Sequence, residues 1–122
     1  MDIVAAARAL APSIRPRAEE IERHRTLPAD LATTLARAGL FRTLLPRSLG
    51  GLECTPLEAL ASMEAIGEAD ASAGWCTMIG STAGMSAAWL DPAVAATIHT
   101  GPEVVTGGVF APIGRAVVDG DA

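Results

Sequence analysis

From the N-terminus to Leu90, apolar positions recur at helical spacing with polar residues between them. Ile3, Val4, Ala7, Leu10 and Ala11 mark one face of a first helix. Pro12 and Pro16 divide the stretch from 2 to 25 into two helical parts, because proline lacks an N–H and clashes with the preceding turn. The part from Arg17 to Arg25 is charged, with Ile21 as its apolar anchor and Glu19 one turn before Arg23. Leu31, Leu35 and Ala38 share a face of a second helix, predicted to open with Pro28 at its first position and to stop at Gly39. Leu40 to Leu45 reads as a short extended apolar piece ending at Pro46, and Gly50-Gly51 as a turn.

Thr55, Pro56 and Glu58 form a capping box, the sharpest local signature in the chain. The helix it opens is predicted to run to about Ala69, with Leu57, Leu60, Ala61 and Ile66 inward and Glu58, Glu64 and Glu68 outward. Asp70 then caps an uncharged helix predicted from Ala71 to Leu90. One face of it carries a mostly bulky stripe, Trp75, Met78, Thr82, Met85 and Trp89. The other carries the small residues Thr77, Gly80, Ser81 and Gly84. Asp91-Pro92 starts a last helix to about His99, ended by Gly101-Pro102. The pattern then changes: Val104 to Thr106, Val109-Phe110 and Ala116 to Val118 read as strands, with Asp119-Gly120 as a hairpin turn. A hairpin turn so close to Ala122 leads us to expect the front end of a longer protein.

Composition narrows the functions. Half of the 122 residues are hydrophobic, which excludes a disordered chain. Aromatics make up 3% and the formal charge is −5, a poor basis for stacking on bases or neutralising phosphates, so no nucleic-acid partner is expected. All basic residues are Arg, and all but Arg115 lie before Ser48; the rest of the chain is acidic, as a solvated face would be. The uncharged run from 71 to 90 has the length of a membrane span. Its glycines, serines and threonines, with Glu68, Asp70 and Asp91 as flanks, instead favour a helix buried in protein, so no membrane partner is expected. Cys54 and Cys76 are too few for a disulfide framework or a zinc site, and the N-terminus has no basic, apolar leader; reduced thiols in the cytoplasm are expected. His24 and His99 stand without metal-spaced partners, and Ser48, Ser72, Ser81 and Ser86 have no evident base. The chain offers no general base, and no metal is expected.

Three segments together resemble a known family: Ala38 to Gly51 (AGLFRTLLPRSLGG), Asp70 to Trp75 (DASAGW) and Gly107 to Asp121 (GGVFAPIGRAVVDGD). They are similar to the N-terminal helical domain of the acyl-CoA dehydrogenase superfamily. The resemblance implies a mainly α fold, with a helical domain over 1–101 followed by the first strands of a truncated β-domain over 102–122. The dehydrogenases proper carry a Glu-Pro-Gly-rich motif at the end of the first β-domain strand. Here Phe110 to Ala116 has no Glu and is not followed by Gly-Ser-Asp. Ser72-Ala73-Gly74-Trp75 with Pro112-x-Gly114-x-Ala116 looks like the flavin-dependent monooxygenase branch.

That branch implies reduced flavin (FAD or FMN), supplied by a separate reductase, reacting with O₂ in a water-excluding site to hydroxylate an aromatic or polyketide-like small molecule. The alternative within the superfamily is an acyl-CoA dehydrogenase with tightly held FAD and an electron-transfer flavoprotein. A third reading is a non-catalytic helical module that packs or oligomerises. The resemblance also implies a homotetramer. For the site it implies flavin contacts at Val109, Phe110, Ala111 and Pro112, where glycines at 107 and 108 admit close backbone approach. It implies a substrate pocket lined by Trp75, Thr77, Gly80, Ser81 and Gly84, with no carboxylate near Gly80, which suits a ring better than an acyl thioester. Each has a structural counterpart: the small face would equally seat a neighbouring segment, Trp75 would equally be a core residue, and 107–112 an ordinary strand end. Acid–base residues are expected beyond Ala122.

Overall fold

The computed structural model describes residues 2–109, 111 and 113–120. Among the described residues six α-helices follow one another, with a 3₁₀ turn in three of the five connections: α1 Ile3–Ile14, α2 Ala18–His24, α3 Ala29–Arg37, α4 Pro56–Gly67, α5 Ala71–Gly84 and α6 Pro92–Ile98. Asp2 opens α1 by accepting from the Ala5 N–H. Pro12 is accommodated inside α1, and the break falls at Pro16, within a 3₁₀ turn over Arg15–Arg17. Arg15 reaches from that turn to the Glu68 carbonyl at 3.3 Å, placing a cation at the C-terminal end of α4.

Arg17 ties α2 to α3: its guanidinium meets Glu20 at 2.9 Å and Asp30 at 2.6 Å. Both carboxyls are held below their ordinary range, chiefly by the hydrogen bond from Arg17. Pro28 sits one place before α3, at the cap position, and Gly39 takes the left-handed conformation (φ +84°) that ends the turn.

The core lies where α1, α3 and α4 converge with the start of α5. Ile3, Ala7, Ile14, Ile21, Leu35, Leu40 and Ile66 are buried there with Ala73. Each fully buried Ile or Leu stabilises the fold by about 1.5–3 kcal/mol relative to exposure. Residues 39–45 do not extend as a strand. They turn back under α5, and Leu52, Glu53 and Cys54 donate to the carbonyls of Arg42, Leu45 and Thr43.

The capping box forms in full, with Glu58 held below its ordinary range by the Thr55 hydroxyl and backbone. The inward face of α4 differs from expectation. Ala59, Ser62, Ala65 and Ile66 are buried, while Leu57 is 79% and Leu60 62% exposed. The reason is how close α4 comes to α5. A methyl on Gly74 would fall 2.6 Å from the Gly67 Cα, so the helices meet backbone to backbone and only small residues fit between them.

α5 is shorter than the uncharged run. It ends at Gly84, and Met85–Trp89 continues as 3₁₀ helix, where the Ser86 hydroxyl bonds back to the Ala83 carbonyl. No helix among the described residues is long and apolar enough to cross a membrane. Asp91 caps α6 through the N–H groups of Ala93 and Val94. The predicted strands are not present among the described residues: 104–109 and 114–119 carry no ladder. Strand geometry requires a neighbouring backbone to pair with, and none of the described residues supplies one to these segments.

Candidate functional site

The two faces of α5 are sorted by size, but in the reverse of the usual order. Ala73, Gly74, Thr77, Gly80, Ser81 and Gly84 are buried, while Trp75 is 63% exposed and Trp89, in the 3₁₀ helix that continues α5, is 78% exposed. Thr77 is sealed by its own hydrogen bond to the Gly74 carbonyl. Ser81 shares a buried hydrogen bond with Thr43 across the interface with the 39–45 segment. Gly84 lies over Leu45, whose Cβ would be 3.4 Å from an added methyl. Two of the expected substrate residues, Ser81 and Gly84, thus sit behind the helix surface, against Thr43 and Leu45, and Thr77 is fully buried. Gly80 stands at the edge of this interface. A methyl on it would come 2.6 Å from Phe41 Cδ1 and 3.1 Å from Val105 Cγ1.

Gly80 and Trp75 do come together at an open concavity of about 460 Å³. Trp75, Cys76, Ile79 and Gly80 of α5 form one wall, and Leu27, Ala32 and Phe41 form the floor. Val105, Thr106 and Gly107 close the third side. On the other flank of Trp75 lies a second concavity of about 510 Å³, bounded by Ile21, Glu22, Ala71 and Ser72. Arg25, Thr26, Leu27, Trp75 and Cys76 border both, so the indole stands as a partition between two apolar hollows. Arg25 closes α2 in a left-handed conformation (φ +54°), uncommon for a residue with a side chain.

The chemistry of this place is that of binding. No group of three His, Cys, Asp or Glu residues among those described is placed to hold a metal. Burial pushes the Cys76 thiol above its ordinary value, with Asp70 adding to the effect, so it stays protonated at neutral pH. The N–H and C=O groups of Val105, Thr106 and Gly107 make no hydrogen bond among the described residues, and nothing lies within 4 Å of a methyl placed on Gly107. This is open backbone beside an apolar, aromatic wall, a setting that fits a flat heterocycle with polar edges.

Of the expected flavin contacts, Val109 is 80% exposed and Ala111 is exposed; Phe110 and Pro112 lie outside the described residues. Among the described residues, the stretch of this segment that lines the concavity is 105–107. Ile79 and Leu27 were not singled out from the sequence, although Ile79 is one turn from Trp75.

Comparison with known proteins bears on this arrangement. Residues 2–94 match the family described as acyl-CoA dehydrogenase, N-terminal domain. The chain is 34% identical over 115 residues to an indole-3-acetate monooxygenase of Pseudomonas putida, covering 92% of this chain and 30% of that protein. It is 32% identical over 118 residues to the Acinetobacter baumannii indole-3-acetate monooxygenase, covering 91% and 29%. It is 37% identical over 71 residues to the oxygenase subunit HsaA of a flavin-dependent monooxygenase from Rhodococcus jostii, covering 58% and 19%. The chain therefore spans less than a third of the length of these curated relatives. The matched stretch contains the helical core, the α4–α5 contact and Trp75, and on that ground the chain belongs to the acyl-CoA dehydrogenase N-terminal domain family.

Proposed function

We propose that this chain is the helical, N-terminal part of a flavin-dependent monooxygenase that hydroxylates an aromatic or polyketide-like small molecule. The observation that carries the reading is the hollow beside Trp75, lined also by backbone at 105–107 that makes no hydrogen bond among the described residues. The names of relatives covering nine-tenths of the chain support the oxygenase branch. Bound flavin supplies the redox chemistry with O₂. The chain's own residues bind and shield. Trp75, Ile79 and Gly80 present a surface that excludes water from the ring of a substrate, and 105–107 offers hydrogen-bond partners to a heterocycle's edge. The unpaired, half-buried Cys54 and Cys76 accord with a reducing cytoplasm. A β-domain beginning near 102, a homo-oligomer and a separate flavin reductase complete the proposal.

The test is flavin affinity in the full-length gene product, measured separately for oxidised and reduced flavin. Tight binding of reduced flavin with weak binding of the oxidised form is the expected result. Oxidised FAD that survives purification and is bleached by an acyl-CoA would replace this reading with the dehydrogenase. Absence of any flavin binding would leave a packing module.

A further inference from the structure

A second cleft, of about 290 Å³, shares no lining residue with the hollows beside Trp75. It lies between the 3₁₀ turn Arg47–Leu49 and the C-terminal end of α6. Arg42, Ser48, His99 and Thr100 line it, and among the described residues no carboxylate does. Arg42 is half-buried. One terminal nitrogen donates to the Gly50 carbonyl, while its Nε is buried without a partner among the described residues.

The acids that flank this region in the chain are engaged elsewhere. Glu53 accepts from the Arg47 N–H at 2.9 Å, Asp91 caps α6, and Glu103 pairs with Arg37 at 2.7 Å. The cleft thus gathers a permanent cation, an imidazole and hydroxyls, with no acidic side chain lining it among the described residues. A buried N–H without a partner, as at Arg42 Nε, is costly, and the guanidinium's planar fork matches the oxygens of a phosphate.

We propose that this cleft binds a phosphate-class anion, either free phosphate or the phosphate of a phosphomonoester. Arg42 provides the charge, and His99, Ser48 and Thr100 provide further hydrogen-bond donors. The site is separate from the flavin reading and stands or falls without it.

Calorimetric titration of the full-length protein with sodium phosphate, and in a second arm with ribose 5-phosphate, tests this at constant ionic strength. Saturable binding of at least one is expected. Ribose 5-phosphate binding without inorganic phosphate binding would identify the occupant as an esterified group, and equal binding would identify the free anion. His99→Gln should weaken binding about tenfold, the scale of one hydrogen bond to a charged group. Arg42→Lys keeps a charge and a donor for Gly50 but loses the fork, and should weaken binding further. Arg8→Gln, on α1 and outside the cleft, should change nothing. Lack of saturable binding in both arms overturns the proposal. So does equal weakening by Arg8→Gln and His99→Gln, which would mean attraction to the arginine-rich surface at large.

Discussion

The inward and outward faces of α5 follow opposite rules. Inside, size is held to a minimum because α4 and the 39–45 segment come to within backbone distance; outside, two tryptophans stand in solvent. Most surface helices bury their large residues, since apolar area removed from water drives packing. Here the stabilising term is close contact between backbones, with dispersion from many atoms replacing a few large side chains. The large residues are thereby left at the surface. The face that holds the fold together and the face proposed to meet a ligand share one helix.

The comparison breaks most severely at Gly74. Gly74→Val drives a branched side chain into the Gly67 backbone and should cost about 3 kcal/mol, the upper end of overpacking, measured by urea unfolding. Ser81→Leu comes next, at about 2 kcal/mol, because it overfills the contact with Thr43 and strands the Thr43 hydroxyl. Melting, reduced-flavin affinity and turnover should all fall together in that variant. Loss of turnover with unchanged melting would show that Ser81 faces substrate instead.

Trp75→Ala is the opposite case. Stability should move by less than about 0.5 kcal/mol, as for an exposed position, while turnover collapses. A large drop in melting temperature would mean that Trp75 belongs to the inner face after all. The smallest effect lies on neither face. Arg17 depresses the Glu20 and Asp30 carboxyls below their ordinary values of 4.5 and 3.8. Their contribution is therefore present above about pH 4.5 and is lost as pH falls through the depressed values. Arg17→Gln should lower the melting temperature slightly at neutral pH, and the gap to wild type should close in acid. Both carboxyls are exposed, so the gap is small from the outset.

Local chemistry was the readable part. The caps at Thr55, Asp70 and Asp91, the stop at Gly39 and the helix order all follow from residues acting within one turn of themselves. The orientation of α4 was not readable from hydropathy. Leu57 and Leu60 have the stronger apolar signal, yet Ala59 and Ser62 face inward because the Gly67–Gly74 contact, a tertiary fact, decides the rotation. The site divides in the same way. Trp75 and Gly80 do meet at one hollow, and their resemblance to a family pointed there. That Ser81 and Gly84 turn toward Thr43 and Leu45 depends on a loop whose course no periodicity encodes. The strands expected after Gly101 needed partner backbone, which a reading of single segments cannot supply.

The change from α to 3₁₀ helix at Met85 has an angular consequence. An α-helix advances about 100° per residue and a 3₁₀ helix about 120°. Over Met85–Trp89 the difference accumulates to roughly 100°, and the tighter coil also adds about 0.5 Å of rise per residue. On a continuous α-helix Trp89 would lie about 40° to one side of Trp75; on the helix as it stands, it lies about 60° to the other side. Both indoles therefore stay on one exposed side of the helix, but the tighter coil sets them about 2.5 Å farther apart along the axis than an unbroken α-helix would.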